Sequence, residues 1–178
     1  MSAPLIVLSG PPGSGKTTVA ALLAKEFARS THVVGDHFFR YIVGGWQDPS
    51  TSQSHEQNQI VVDITTQAAC SYAEAGYTTI LDGIFGPWFL ERMQAIIGDR
   101  ETHYVVLRAD LSTSIDRAVN RSETPASEAM VRTMHGHFDQ LGQYEPHVVD
   151  TTTPTPAQVT ADVLQMITTE ACRLSSPQ

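Results

Sequence analysis

Residues Gly10-Pro11-Pro12-Gly13-Ser14-Gly15-Lys16-Thr17 satisfy the pattern G-x-x-x-x-G-K-[ST] at every fixed position. Its glycines let main-chain N–H groups turn inward around a phosphate, and a helix starting behind them adds partial positive charge. Lys16 has the reach for outer phosphates, and the Thr17 hydroxyl suits Mg²⁺, with Thr18 next to it at the helix start. A plain glycine-rich turn is the alternative, but the strand before and the helix after favour a nucleotide site. Asp82 in "TTILDG" closes another strand, where a carboxylate can hold Mg²⁺ directly or through water. A turn-forming Asp-Gly pair is the competing account. Gly83 stands where ATP-hydrolysing machines usually carry a glutamate to activate water, and no N-K-x-D base-reading motif occurs. A kinase therefore gains over a motor or a GTPase.

Those residues need a frame. "PLIVLSG" is an apolar run stopped by glycine, as a strand buried on both faces would be. Val19, Leu22, Leu23 and Phe27 then fall on one helical stripe, and "HVVGD" reads as a second strand. Gly44 to His55 is rich in turn residues and reads as an irregular loop. Ile60, Ile64, Ala68 and Tyr72 repeat at helical spacing, and "EAGYTTILDG" reads as helix end, glycine stop and strand. Pro87 opens a helix, "HYVVLRAD" is a fourth strand, and a helix from about Leu111 to Arg121 follows. Ser122 to Ser127 interrupts the pattern, a further helix runs to about Tyr144, and "HVVDT" is a fifth strand. Thr155 is placed to cap a closing helix with Pro156 at its first position, and "SSPQ" reads as a frayed end. Alternating strands and helices predict a parallel sheet covered on both faces, with ligands beyond the carboxyl ends of the strands.

The bulk properties narrow the classes. The 178 residues suffice for one domain, expected to span residues 1–178. A net charge of −8, from 19 acidic and 11 basic residues, argues against a nucleic-acid or anionic-membrane surface. Cys70 and Cys172 have no paired-ligand spacing and read as reduced thiols. No run approaches the ~20 apolar residues of a membrane span, and the first residues lack a basic leader, so a cytoplasmic protein, monomer or homodimer, is expected.

Taken together, the phosphate loop, "GD" after the second strand, "LDG" after the third and R-x-x-x-R after the fourth make the chain resemble the nucleoside-monophosphate-kinase-like P-loop kinases. That group includes adenylate, shikimate and gluconate kinases and the chloramphenicol phosphotransferases. The resemblance follows nearly the whole chain in element order. It implies a three-layer α/β P-loop fold: a five-stranded parallel sheet in order 2-3-1-4-5, helices on both faces and a short helical lid over about residues 118–140. It implies ATP and Mg²⁺ as cofactors, with phosphoryl transfer to a small-molecule acceptor. By the same resemblance Asp36 faces the acceptor hydroxyl as base or orienting group, and Arg40 lies where an acceptor-binding arginine would, displaced by one residue. Arg117 would pack on the adenine ring and Arg121 would reach the phosphates, which makes Lys16, Asp36 and Arg121 the catalytic set. Arg132 is a further candidate, and Thr152 and Pro154 fall where related kinases wrap main chain around the adenine edge. For Asp36, a helix cap explains the same residue; for the arginines, exposed helix-end charge does.

The acceptor side is less defined. Phe85 and Trp88 follow the third strand, and they, Phe38 and Trp46 either line an apolar pocket or belong to the core. His37 and His55 lie near this region, while His135 and His137, two apart on a helix, point in different directions and do not suggest a metal site. From Asp36 to Gln94 the only cationic side chains are Arg40 and Arg92, which favours a neutral or weakly charged acceptor. The alternatives are a nucleotide kinase acting on a monophosphate, a nucleotide-binding switch or NTPase with no acceptor, and a kinase modifying a sugar nucleotide.

Overall fold

The computed structural model describes residues 2–122 and 125–175. Five parallel strands, β1 (Leu5–Ser9), β2 (Ser30–Val34), β3 (Thr78–Asp82), β4 (Thr102–Arg108) and β5 (Val148–Asp150), form one sheet in the order β2-β3-β1-β4-β5, as expected. β1 is central and buried at every position, which is why its sequence is an unbroken apolar run. Its side chains alternate between two cores. Ile6 and Leu8 pack with Leu23, Ile80, Val105, Leu107, Val159 and Val163 under α1 (Lys16–Leu23) and α7 (Pro156–Thr168). On the other face, Leu5 and Val7 pack with Leu81, Met93, Tyr104, Val106 and Phe138 under α3 (His55–Glu74) and α4 (Pro87–Ile97). Each such fully buried side chain contributes about 1.5–3 kcal/mol.

The register pairs Leu8 and Val34 alike with Asp82, so β1, β2 and β3 end level. Across that rim lie α2 (Asp36–Phe39), α5 (Leu111–Val119) and α6 (Glu128–His137), with α5 against α6. Thr155 caps α7 in a reciprocal pair with Gln158, and Pro87 and Pro156 open their helices as their fixed φ predicts. Of the expected break at Ser122 to Ser127, Glu123 and Thr124 lie outside the described residues, as does the expected frayed end beyond Ser175.

The helix expected from Ile60 to Tyr72 is present with a different face inward, and two other expectations are corrected. α3 exists, but Ile60, Ile64 and Tyr72 are 49%, 47% and 48% exposed, and its buried face is Val61, Val62, Thr65, Thr66, Ala69, Cys70 and Ala73. The threonines can face the core because their hydroxyls donate to the Val61 and Val62 carbonyls one turn back. α5 stops at Val119, where the Asn120 N–H and side-chain amide both bond Asp116, so Arg121 stands beyond the helix rather than on its face. α6 stops at His137, and Gly142–His147 is a 3₁₀ stretch containing Pro146.

The largest fully buried side chain, Tyr104, donates its hydroxyl to the Phe85 carbonyl at 2.9 Å. Tyr104→Phe leaves that carbonyl unpaired in the core, a cost of about 1–3 kcal/mol, or roughly 2–4 °C of Tm per kcal/mol for a chain of this size. A melting temperature equal to wild type would show that the Phe85 carbonyl finds another donor.

Candidate functional site

The loop between β1 and α1 is held from two sides. At Gly13, φ is +81° and an added Cβ would lie 2.1 Å from the Ser114 carbonyl oxygen, so only glycine fits against α5. From the far side the Thr151 hydroxyl donates to the Ser14 carbonyl at 3.0 Å. Pro11, Pro12, Gly13 and Ser14 are buried, and α1 begins directly at Lys16 with no acidic residue in its first turn. The positive end of that helix is therefore uncompensated by its own side chains. The Lys16 ammonium donates to the Pro11 carbonyl at 2.9 Å.

Two adjoining cavities open at the carboxyl rim. The first, about 600 Å³, is bordered by Pro12, Gly13 and Gly15 to Thr18 of the loop, with Asp82, His37 and Arg121. The second, about 320 Å³, is bordered mostly by apolar side chains of α3, α4 and α6 with Phe39 and Phe85. Asp36, Arg40, Gly83, Ile84 and Met130 border both. The sequence-derived residues Lys16, Thr17, Thr18, Asp36, Arg40, Asp82 and Arg121 thus come together at one rim.

Phe85 is buried, and both its main-chain groups are spoken for: its N–H donates to the Ser9 hydroxyl at 3.1 Å and its carbonyl accepts from Tyr104. Its ring lies against the ends of β2 and β3, where a Cβ on Gly83 would stand 2.5 Å from it. Phe85 is therefore both core and cavity wall. Trp88 also borders the second cavity, in edge contact with Phe138 at 5.3 Å. Phe38 packs on the core and Trp46 is exposed; neither borders either of these two cavities.

Asp82 is buried, and its Oδ1 has no hydrogen bond among the described residues. His32 Nε2 on β2 faces it at 3.4 Å, also without a hydrogen bond. Asp36 is exposed at the start of α2, which has no side-chain cap, and no described residue bonds its carboxylate. Burial lowers the Lys16 amine from 10.5 to about 8; the charges of Asp36 and Asp82 oppose that shift and Arg121 adds to it.

The remaining candidates separate. Arg117 donates to the Thr151 and Thr152 carbonyls at 2.9 and 3.2 Å, which ties it to the loop after β5 and away from the cavity wall. Arg132 pairs with Glu128 and borders a groove between α5 and α6. His55 bonds Gln59, and His135 is buried against the Ala109 carbonyl and Asp139. His37 borders the first cavity, and His137 lies edge-on to Trp88. Among the described residues no three His, Cys, Asp or Glu side chains cluster to hold a metal, and no helix is long and apolar enough to cross a membrane. Sequence reasoning missed His32, Phe39, Asn58, Met130 and Met134. Only Phe39, beside Phe38, carried any signal.

The AAA_18 family, an AAA domain, matches residues 6–135. A cytidylate kinase of Archaeoglobus fulgidus is 29% identical over 138 residues, 75% of each chain. Among solved structures, a sugar kinase from Janibacter superposes with a TM-score of 0.69 at 16% identity, over 93% of this chain and 94% of that one. Shikimate kinase from Acinetobacter baumannii superposes with a TM-score of 0.66 at 19% identity, over 94% of each chain. These likenesses show the P-loop kinase fold.

The lowered Lys16 pKa has a measurable consequence. Between about pH 8 and 10.5 the unfolded chain keeps a proton on Lys16 that the fold has shed, so this residue makes stability rise with pH. In urea unfolding without nucleotide, wild type should gain on Lys16→Met between about pH 8 and 10, by on the order of 2 kcal/mol. A flat difference would mean that the amine titrates at its ordinary value.

Proposed function

The chain belongs to the AAA_18 domain family, whose matched span takes in both cavities, and on that premise we propose that it is an ATP-dependent small-molecule kinase. It moves the γ-phosphoryl group of ATP to a hydroxyl of a small acceptor. The observation that carries the reading is that Asp36 and Arg40 border both the phosphate-loop cavity and the apolar cavity. A donor in one and an acceptor in the other meet at a carboxylate that bonds no other described residue.

In this reading the loop and the start of α1 bind the triphosphate, and Lys16 and Arg121 neutralise charge on the transferred group. Asp36 accepts the acceptor's hydroxyl proton as that oxygen attacks the γ-phosphorus. The bond from phosphorus to the β–γ bridging oxygen breaks, ADP leaves with that electron pair, and Asp36 returns its proton to water. Thr17 and Asp82 offer a hydroxyl and a carboxylate, hard oxygen donors that fit Mg²⁺, and the unpaired Asp82 Oδ1 suits that use. When bound, Mg²⁺ supplies charge neutralisation to the phosphates. Residues about 118–140 act as the lid of a single domain. Met130 of α6 borders both cavities, so closure there excludes water and brings Arg121 inward. Arg117 holds the main chain after β5, where the adenine edge would lie.

A nucleotide kinase is the second reading, favoured by the relatives named cytidylate kinase. ATP consumption with Mg²⁺ against nucleosides, nucleotides, sugars, hydroxy acids and antibiotics, with product identified by mass, distinguishes the two. A phosphorylated alcohol supports the first reading, a nucleoside diphosphate the second, and hydrolysis indifferent to every acceptor neither.

Lys16→Ala should abolish transfer; retained turnover would remove the phosphate loop from the mechanism. Asp36→Asn should lower the rate by about 10²–10⁴ while ATP affinity holds within a few-fold. Loss of thermal stability with an unchanged rate would make Asp36 a helix-start residue and nothing more.

A further inference from the structure

The second cavity, on the acceptor reading above, also indicates what kind of molecule enters it. Its walls include the rings of Phe39, Phe85, Trp88 and Phe89 and the thioethers of Met130 and Met134. Flat rings and adaptable thioethers suit a flat apolar body. Among the described residues Arg40 is the one cation that borders it, with Lys16 and Arg121 confined to the adjoining phosphate-loop cavity. Arg92 is held by Asp63 through two contacts, Nε–Oδ1 at 2.5 Å and Nη2–Oδ2 at 2.6 Å, and borders not this cavity but a neighbouring groove between α3 and α4, which shares Asn58, Trp88 and Phe89 with it. A phosphomonoester dianion brought from water against such walls needs more than one cationic partner.

Asn58 adds the second constraint. It stands in the first turns of α3, borders this cavity and not the phosphate cavity, and donates its amide N–H to the Pro49 carbonyl at 2.9 Å. That bond fixes which way the amide points. The other end, Oδ1, is buried with no hydrogen-bond partner among the described residues. An acceptor atom left so costs about 1–3 kcal/mol, a penalty that a donor from the cavity removes once the side chain turns enough to uncover the oxygen.

We propose that this cavity receives an uncharged molecule with a flat apolar body, its reacting hydroxyl toward Asp36 and a second O–H or N–H donor closing on Asn58 Oδ1. Asn58 is then a specificity residue and Trp88 part of the wall it reads against. The proposal rests on the kinase reading for the word acceptor, but its binding test does not use ATP.

Trp46→Phe leaves Trp88 as the single tryptophan of the chain, so quenching of its fluorescence reports occupancy. The probes are tyrosol, whose phenol is a second donor; the methyl ether of that phenol; the phosphate ester of tyrosol's primary alcohol; and cytidine with CMP. Tyrosol and cytidine should quench Trp88, and each phosphate ester should bind at least about tenfold more weakly. Methylating the phenol should cost about five- to tenfold, and Asn58→Leu should erase that difference while holding the ether's affinity within about twofold. Three results overturn the proposal: phosphate esters binding as well as their alcohols, no quenching by either tyrosol or cytidine, or a methylation difference that survives in Asn58→Leu. Should Asn58→Leu fail to melt cooperatively, tyrosol against its ether on the Asn58 parent still decides the donor requirement. Binding as expected without product by mass would sink the kinase reading alone; transfer to CMP with no binding of alcohols would sink the acceptor class alone.

Discussion

The arrangement at the carboxyl rim depends on how closely the phosphate loop lies against the end of β4 and the first turn of α5. At Gly13 the main chain passes so near the Ser114 carbonyl that a Cβ would stand 2.1 Å away, and at Gly10 the Leu107 carbonyl is equally near. The Thr151 hydroxyl grips Ser14 from the β5 side. A loop wedged in this way cannot drift with its ligand, so α1 starts at one fixed place and Lys16 is held where its amine is partly stripped of water. Preorganisation of this kind is what phosphoryl transfer asks of a protein, since positioning and charge carry most of the catalysis.

The acceptor side is held by a different device. Three strands ending level would leave a flat rim, but Phe85 turns back over it, pinned by Ser9 from β1 and Tyr104 from β4. Its ring needs the bare main chain of Gly83 beneath it. From α3, Gln57 and Asn58 reach out and bind Gln47 and Pro49, so two side chains order the polar segment before that helix. One cavity is thus built by main chain and the other by side chains.

That difference explains what the sequence discloses. A phosphate cradle needs particular backbone shapes, and only glycine, lysine and a hydroxyl residue at fixed spacing supply them, so the loop was legible at once. A parallel sheet followed from the alternation of elements, and its strand order from the family resemblance. The inward face of α3 was not legible, because i, i+4 periodicity favours Ile60, Ile64 and Tyr72, whereas Thr65 and Thr66 can be buried once their hydroxyls bond the preceding turn. Arg121 was placed on a helix because nothing in "DRAVNR" announces that Asn120 will compete for the Asp116 carbonyl. His32 and Asn58 had no signal at all: each matters only through a neighbour brought from another element by the fold.

Four buried side-chain atoms lack hydrogen-bond partners among the described residues: His32 Nε2, Asp82 Oδ1, Asn58 Oδ1 and Ser114 Oγ. Buried polar atoms are nearly always paired, and their scarce exceptions call for a reason. Here none lies in either core far from the rim. Asp82 and Asn58 border the two cavities, His32 faces Asp82, and Ser114 is the residue pressed against Gly13 of the loop. Lys16, stripped of water with its amine lowered to about 8, belongs to the same group. Had these been defects of packing, they would have no reason to gather at one end of one sheet. Their clustering fits a site that withholds local stability from the free protein, so that partners arriving in the cavities gain the interactions the fold has left unmade.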